Sequence, residues 1–273
     1  NINGGKMKKG VAAICLLFAL SACSKNETKP FKIGLVNFVL GKVYLIGKDG
    51  TEISAKAGLP LDSGMKIKTV GKDSICEVYI AENAIKLFGD SIVSVDVLAH
   101  DSEAESDNSI FKLEKGRVMG IVKNKLMKND NFQINTPTCT AAVRGTTFFV
   151  SHDKKSSSVS CIDGKVEVSS PKSKPVVVEE NERAEVSKTQ KIKKSDIDKD
   201  KAVALKKDSK IKELTPENKE TFTKIDSGDA KSRDSVRKKI KRINYPNKKD
   251  SKGNSKDDDE SGSADVFFFK SND

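Results

Sequence analysis

Residues 135–150, NTPTCTAAVRGTTFFV, constrain this chain more than any other stretch. The Pro137 ring fixes its own φ and biases Thr136 to an extended conformation. Gly145 is the residue here that can take a positive φ at no steric cost. A β-prone apolar run follows. Thr146, Phe148 and Val150 fall on one face of it, and Thr147, Phe149 and Ser151 on the other. The stretch therefore reads as extended chain, a tight corner at Gly145, and a buried strand.

Short apolar runs separated by turn residues surround it, from about residue 31 onward. Gly41 opens a run to Ile46, and Lys48-Asp49-Gly50 is a turn signal. Cys76, Val78 and Ile80 alternate onto one face. Residues 84–88, 91–98 and 118–122 supply further strands. Residues 100–108, HDSEAESDN, lack apolar anchors and read as an exposed loop between strands. Asp163-Gly164, between residues 158–162 and 165–169, reads as a two-residue hairpin. Gly-basic-Val recurs at Gly41-Lys42-Val43, Gly116-Arg117-Val118 and Gly164-Lys165-Val166, at spacings too irregular for a solenoid of fixed period. Many short strands with Gly turns predict an all-β domain, a β-sandwich or irregular β-solenoid.

Thr136-Pro137, then Ala141-Ala142-Val143-Arg144-Gly145-Thr146, then Phe148 and Val150 resemble the FecR-domain signature TP-x-(a)-AVRGT-x-F-x-V. The likeness extends over about residues 36–186. It implies an extracytoplasmic, all-β, non-enzymatic module and supplies no ligand. Arg144, between two apolar-leaning neighbours, is either pinned by carboxylate or carbonyl acceptors or displayed to an anionic ligand.

The N-terminal region points to a compartment. Met7 reads as the natural start after six upstream residues, and Lys8 and Lys9 form a positive segment. Residues 11–20 form a ten-residue apolar core, too short to span a bilayer but suited to a signal peptide. Leu20-Ser21-Ala22-Cys23 then resembles a bacterial lipobox, with Cys23 as the thiol that takes the lipid. Residues 1–23 are thus upstream sequence plus signal peptide, and residues 24–30 a polar tether. More than one acyl chain gives stable anchoring. Ser24 after the cysteine is not the aspartate-type signal for inner-membrane retention. The expectation is a bacterial envelope protein, lipid-anchored at the outer membrane on its periplasmic or surface face.

The expected β domain covers residues 31–186 and a charged tail residues 187–273. The tail holds 24 Lys and Arg against 17 Asp and Glu, and so little apolar material that it reads as largely disordered. Short helices are expected within it. Thr215-Pro216-Glu217 is a helix-start signal, and residues 235–243, SVRKKIKRI, are a basic amphipathic stretch. On this reading a protease strips the tail and leaves a core ending near Val186.

The five cysteines are Cys15, Cys23, Cys76, Cys139 and Cys161. Cys15 leaves with the signal peptide, and Cys139 with Cys161 is the candidate disulfide. The chain has no C-x-x-C, phosphate loop or nucleophile elbow, so no metal site, cofactor or catalytic residue is expected. The net charge of +11 suits an anionic partner. The partners expected are the membrane, through the lipid, and an envelope protein or anionic polymer, with no nucleic acid.

In the iron-responsive systems that name the family, the periplasmic part receives a signal from an outer-membrane transporter and a cytoplasmic segment controls a sigma factor. A lipobox stands here in place of that segment, and the whole resembles spirochaetal lipoproteins carrying a FecR domain. The expected function is envelope binding, sensing or scaffolding. The alternative is a surface adhesin whose basic tail binds acidic glycans or host matrix.

Overall fold

The computed structural model describes residues 31–246 apart from 102, 124 and 125. The signal peptide, Cys23 with its lipobox, the tether and residues 247–273 lie outside the described residues.

The strands are β1 (Gly34–Ile46), β2 (Glu52–Ser54), β3 (Pro60–Leu61), β4 (Lys66–Ile80), β5 (Asn83–Leu87), β6 (Ile92–Asp101), β7 (Ser106–Ile121) and β8 (Asn131–Asn135). They continue as β9 (Thr140–Val143), β10 (Thr147–His152), β11 (Ser156–Asp163), β12 (Lys165–Ser170), β13 (Ser173–Glu179), β14 (Glu182–Ser187) and β15 (Ile192–Asp196). Three helices follow: α1 (Lys199–Asp208), α2 (Pro216–Asp226) and α3 (Ala230–Asn244). The fold is mostly β, and all the strands belong to one hydrogen-bonded network.

Bent strands let that single network enclose a core. β1, β4 and β7 run 13, 15 and 16 residues, longer than the short strands expected. The first half of β7 pairs with β6, its second half with β5 and β10. β4 divides in the same way between β6 and β5. Both halves contribute to one buried cluster: Ile67 and Val78 from β4, Phe111 and Val118 from β7. Phe132 packs on Phe111 and Phe148 at ring-centroid distances of 5.6 and 6.4 Å.

The recurrent Gly-basic-Val triplets mark these bends. Gly41 and Gly116 lie inside β1 and β7 at φ +72° and +92°. A side-chain hydroxyl fills the corner beside each. Lys42 donates its backbone N–H to Ser74 Oγ at 3.1 Å, and Arg117 to Ser91 Oγ at 2.8 Å. A Cβ on Gly116 would collide with Ser91. The first two triplets are thus two uses of one corner device rather than a period, and Gly164, at φ +90°, turns the chain between β11 and β12.

Three sequence expectations change. Asp163-Gly164 is not a hairpin, because β11 pairs with β10 and β14 while β12 pairs with β9 and β13. The hairpin turn sits at residues 153–155, and β9–β10 with β11–β12 form one long hairpin bent at Gly145 and Gly164. Most of the acidic segment read as a loop is instead the tip of the β6–β7 hairpin, with His100 opposite Asp107. It lacks apolar anchors because this tip projects into solvent.

The third change is the boundary at residue 186. The sheet continues through β14 and β15, and the helices pack on it. Thr215 caps α2 and Pro216 opens it, as the helix-start signal implies. Val236 and Ile240 of α3 and Phe222 and Ile225 of α2 join Ile33, Leu35, Tyr79 and Ala84 in a second buried cluster. Leu205 of α1 joins Met119, Ile121 and Ile162 in a third. A few apolar residues suffice because the sheet already presents an apolar outer face. Among the described residues no helix is long and apolar enough to cross a membrane.

Candidate functional site

The signature stretch builds a clasp. Ala141 and Val143 of β9 are buried opposite Val168 and Val166 of β12. Ala142, the alternate residue, is opposite Glu167 and half-buried. Gly145 then turns the chain at φ +104°. Thr146 exchanges backbone hydrogen bonds with Val122, both 3.0 Å, and donates its hydroxyl to the Lys165 carbonyl at 2.8 Å. A Cβ on Gly164 would come within 2.8 Å of the Gly145 carbonyl oxygen, so the two corners sit against each other. Phe148 and Val150 then run into the core.

Arg144 points outward and is exposed, and its Nη2 donates to the Lys128 carbonyl at 2.9 Å. It pins a neighbouring loop by a carbonyl, without being buried.

Thr136, at the head of the signature, anchors a chain of hydroxyls. Its Oγ1 accepts from the Cys139 and Thr138 backbone N–H groups at 3.0 and 3.2 Å. Ser157 Oγ donates to it at 2.8 Å. Ser157 Oγ also lies 2.6 Å from Thr138 Oγ1 and 2.9 Å from His152 Nδ1. Pro137 stands between the two threonines and holds Thr136 extended. Cys139 and His152 therefore stand at opposite ends of one network, the thiol 3.4 Å from Thr136 Oγ1.

The surroundings of this network favour the thiol form of Cys139 over the thiolate. Burial raises the Cys139 thiol above its ordinary value, and the surrounding hydroxyls offset that only in part. Burial depresses His152, against the attraction of Asp153, so its imidazole favours the neutral form. The thiolate is the reactive species, and this thiol holds its proton. Cys161, hydrogen-bonded to the Gly164 carbonyl, is pushed up to about 12 by burial and by Asp163. Cys76 is likewise pushed up to about 12 by burial. The candidate disulfide between Cys139 and Cys161 is not formed: both are free and buried, each engaged by its own hydrogen-bond partner. Among the described residues no cluster of His, Cys, Asp and Glu could hold a metal ion.

Two depressions open beside these features. His152, Arg117, Asp90 and Asp153 line a shallow polar cleft of about 400 Å³. The second, of about 270 Å³, lies between the start of β1 and the helices. Phe222 and Ile225 give it an apolar side, and Lys32, Asp107, Asp226 and Arg233 a charged one. Burial opposes ionisation of Asp107. Hydrogen bonds from Lys32 and His100 outweigh it and hold that carboxyl below its ordinary value.

The sequence reading missed a buried polar socket on the outer face of β1, β4 and β5. Asn37, Glu77, Lys86 and, from α2, Asn218 are all buried. Glu77 accepts the Lys212 N–H at 2.8 Å, Lys86 donates to the Lys210 carbonyl at 2.8 Å, and Tyr79 donates to the Lys212 carbonyl at 2.9 Å. Asn37 donates to the Glu213 carbonyl at 3.0 Å and accepts from Thr215 N–H at 3.1 Å. The socket thus holds the α1–α2 connection by its backbone. Its only sequence signal is a Glu and a Lys inside otherwise apolar runs.

The fold and clasp define an extended-sheet module whose signature residues serve a strand corner. Residues 66–167, from the start of β4 into β12, match the family described as FecR protein. Two crystal structures of a putative anti-sigma factor from Parabacteroides distasonis ATCC 8503 are similar to it in fold. One is 21% identical with a TM-score of 0.41, the other 24% identical with a TM-score of 0.40. Each likeness covers 50% of this chain and 62% of that one, so the match spans less than two thirds of the anti-sigma factor. No curated protein matches the chain.

Proposed function

We propose that this protein is a lipid-anchored envelope module that senses or scaffolds by binding and performs no catalysis. The FecR match over residues 66–167 carries the reading. The lipobox ending at Cys23 supplies the anchor and the compartment. The protonated, buried state of Cys139 and Cys161 supports binding over nucleophilic chemistry. The partner class is an envelope protein, met in the periplasm at the outer membrane.

Metabolic palmitate labelling tests the anchor: wild type takes label and Cys23→Ser does not, whereas equal labelling refutes it. Pull-down from cross-linked envelopes tests the partner. One envelope protein recovered with the folded chain, and lost with an unfolded Gly145→Val variant, is the expected result. Protease shaving of intact cells spares a periplasmic protein and strips a surface adhesin.

A further inference from the structure

We infer that the outward face of α3 is a docking surface for anionic lipid headgroups, oriented by the anchor next to it. The inference rests on the lipid-anchored reading for its geometry but not for its test.

α3 carries seven Lys and Arg and one acid, Asp234. Its apolar face, Val236, Ile240 and Ile243, is buried in the protein. Lys231, Arg237, Lys238, Lys239, Lys241 and Arg242 are exposed on the other side. Asp234, the one acid there, is paired with Lys238 at 3.0 Å. The neighbouring helices are not built this way. α1 mixes its lysines with Asp200 and Asp208, and α2 mixes Lys219 and Lys224 with Glu217, Glu220 and Asp226. One sign of charge is thus gathered on one helix face, which a merely soluble helix does not require.

The position of the face selects a membrane over other polyanions. Phe31, the first described residue, packs against the α2–α3 cluster, and the Arg237 guanidinium lies 5.0 Å from its ring centroid. The seven residues 24–30 between the lipobox cysteine and Phe31 reach at most about 25 Å. A chain anchored at Cys23 therefore holds this edge of α3 close to the bilayer. Charges act on a surface only within about a Debye length, roughly 10 Å at ordinary salt. With the apolar side already used inside the protein, the contact is electrostatic, without insertion of the helix.

The test removes the anchor so that the face alone is read. The processed chain, residues 23–273 as Cys23→Ser, keeps every described residue. It is sedimented with vesicles of phosphatidylcholine containing one third phosphatidylglycerol, and with pure phosphatidylcholine. Binding to the anionic vesicles that weakens with salt, and no binding to the neutral ones, is expected. The variant Lys231→Gln, Lys238→Gln, Lys239→Gln, Arg242→Gln should bind more than about a hundredfold more weakly, at roughly fivefold per charge. Its thermal midpoint should change little, since all four side chains are exposed and the one ion pair lost, Lys238 with Asp234, is solvated. A control variant with Lys154, Lys155, Lys172 and Lys174 changed to Gln removes the same charge from the sheet and should bind as wild type. Equal loss in both variants, no loss in the first, or equal binding to neutral vesicles would each overturn the docking surface. Failure of palmitate labelling would instead remove the anchor and leave the vesicle result standing.

Discussion

Lys86 Nζ lies 3.4 Å from Glu77 Oε1 on the face of the sheet that the C-terminal helices cover, and both side chains are almost wholly buried. Each also grips the backbone of the α1–α2 connection, through the Lys210 carbonyl and the Lys212 N–H. The pair is therefore half of a contact whose other half lies more than 120 residues further along the chain. Replacing Lys86 with Met leaves a buried carboxylate without its counter-charge. Removing one partner of such a pair costs about 3–5 kcal/mol. The urea midpoint of Lys86→Met should fall accordingly, and that of Glu77→Gln/Lys86→Met should fall less. An unchanged midpoint in the single variant would show that the pair is not coupled to folding.

Limited trypsin digestion should leave a fragment that retains α3. Lys and Arg occur throughout residues 187–246, so only structure protects them. The packing of Phe222, Ile225, Val236 and Ile240 on the sheet supplies it. A stable product ending near Val186, with the helices digested, would contradict this packing.

At the clasp, Gly145→Val should unfold the domain or lower its melting midpoint sharply. A β-branched residue at φ +104° is strained by more than about 1 kcal/mol, and the corner has the Gly164 turn pressed against it. Arg144→Lys should cost less than about 1 kcal/mol, because it changes one exposed hydrogen bond to a carbonyl. Thermal melts of the two variants should differ clearly in midpoint.

Thiol labelling should distinguish buried free cysteines from a disulfide. In the processed Cys23→Ser chain, a thiol reagent at neutral pH should react slowly with the native protein. It should find all three cysteines, Cys76, Cys139 and Cys161, once the protein is unfolded without reductant. Finding one thiol would mean that a disulfide forms in the cell.

His152 should titrate below the ordinary histidine range near pH 6.5 in NMR of its ring protons. A depressed folded-state value means that the unfolded chain takes up the proton first. His152 therefore contributes stability that is present above the unfolded value and lost as pH falls through it toward the folded one. Ser157→Ala removes the hydroxyl at its Nδ1 and should alter this titration. A wild-type titration at or above the ordinary value would contradict the half-buried, neutral ring.

The amino-acid sequence by itself determined the local features. Pro137, Gly145 and the alternation of Phe148 and Val150 act over a few residues, so the extended chain, the corner and the buried strand could be read directly. Thr215-Pro216 marked the start of α2 for the same reason. The partners of each strand were not legible, because Asp163-Gly164 has the same local chemistry in a hairpin turn as in a corner. Only the pairing of Val166 with Val143 across the sheet decides which it is. The course of residues 187–246 was likewise a tertiary decision. Their composition is too poor in apolar residues to form a core alone, and it predicts disorder when judged alone. They are ordered because the sheet supplies the missing apolar surface at Leu35, Tyr79 and Ala84, and because Asn37, Glu77 and Lys86 satisfy backbone groups that would otherwise need water.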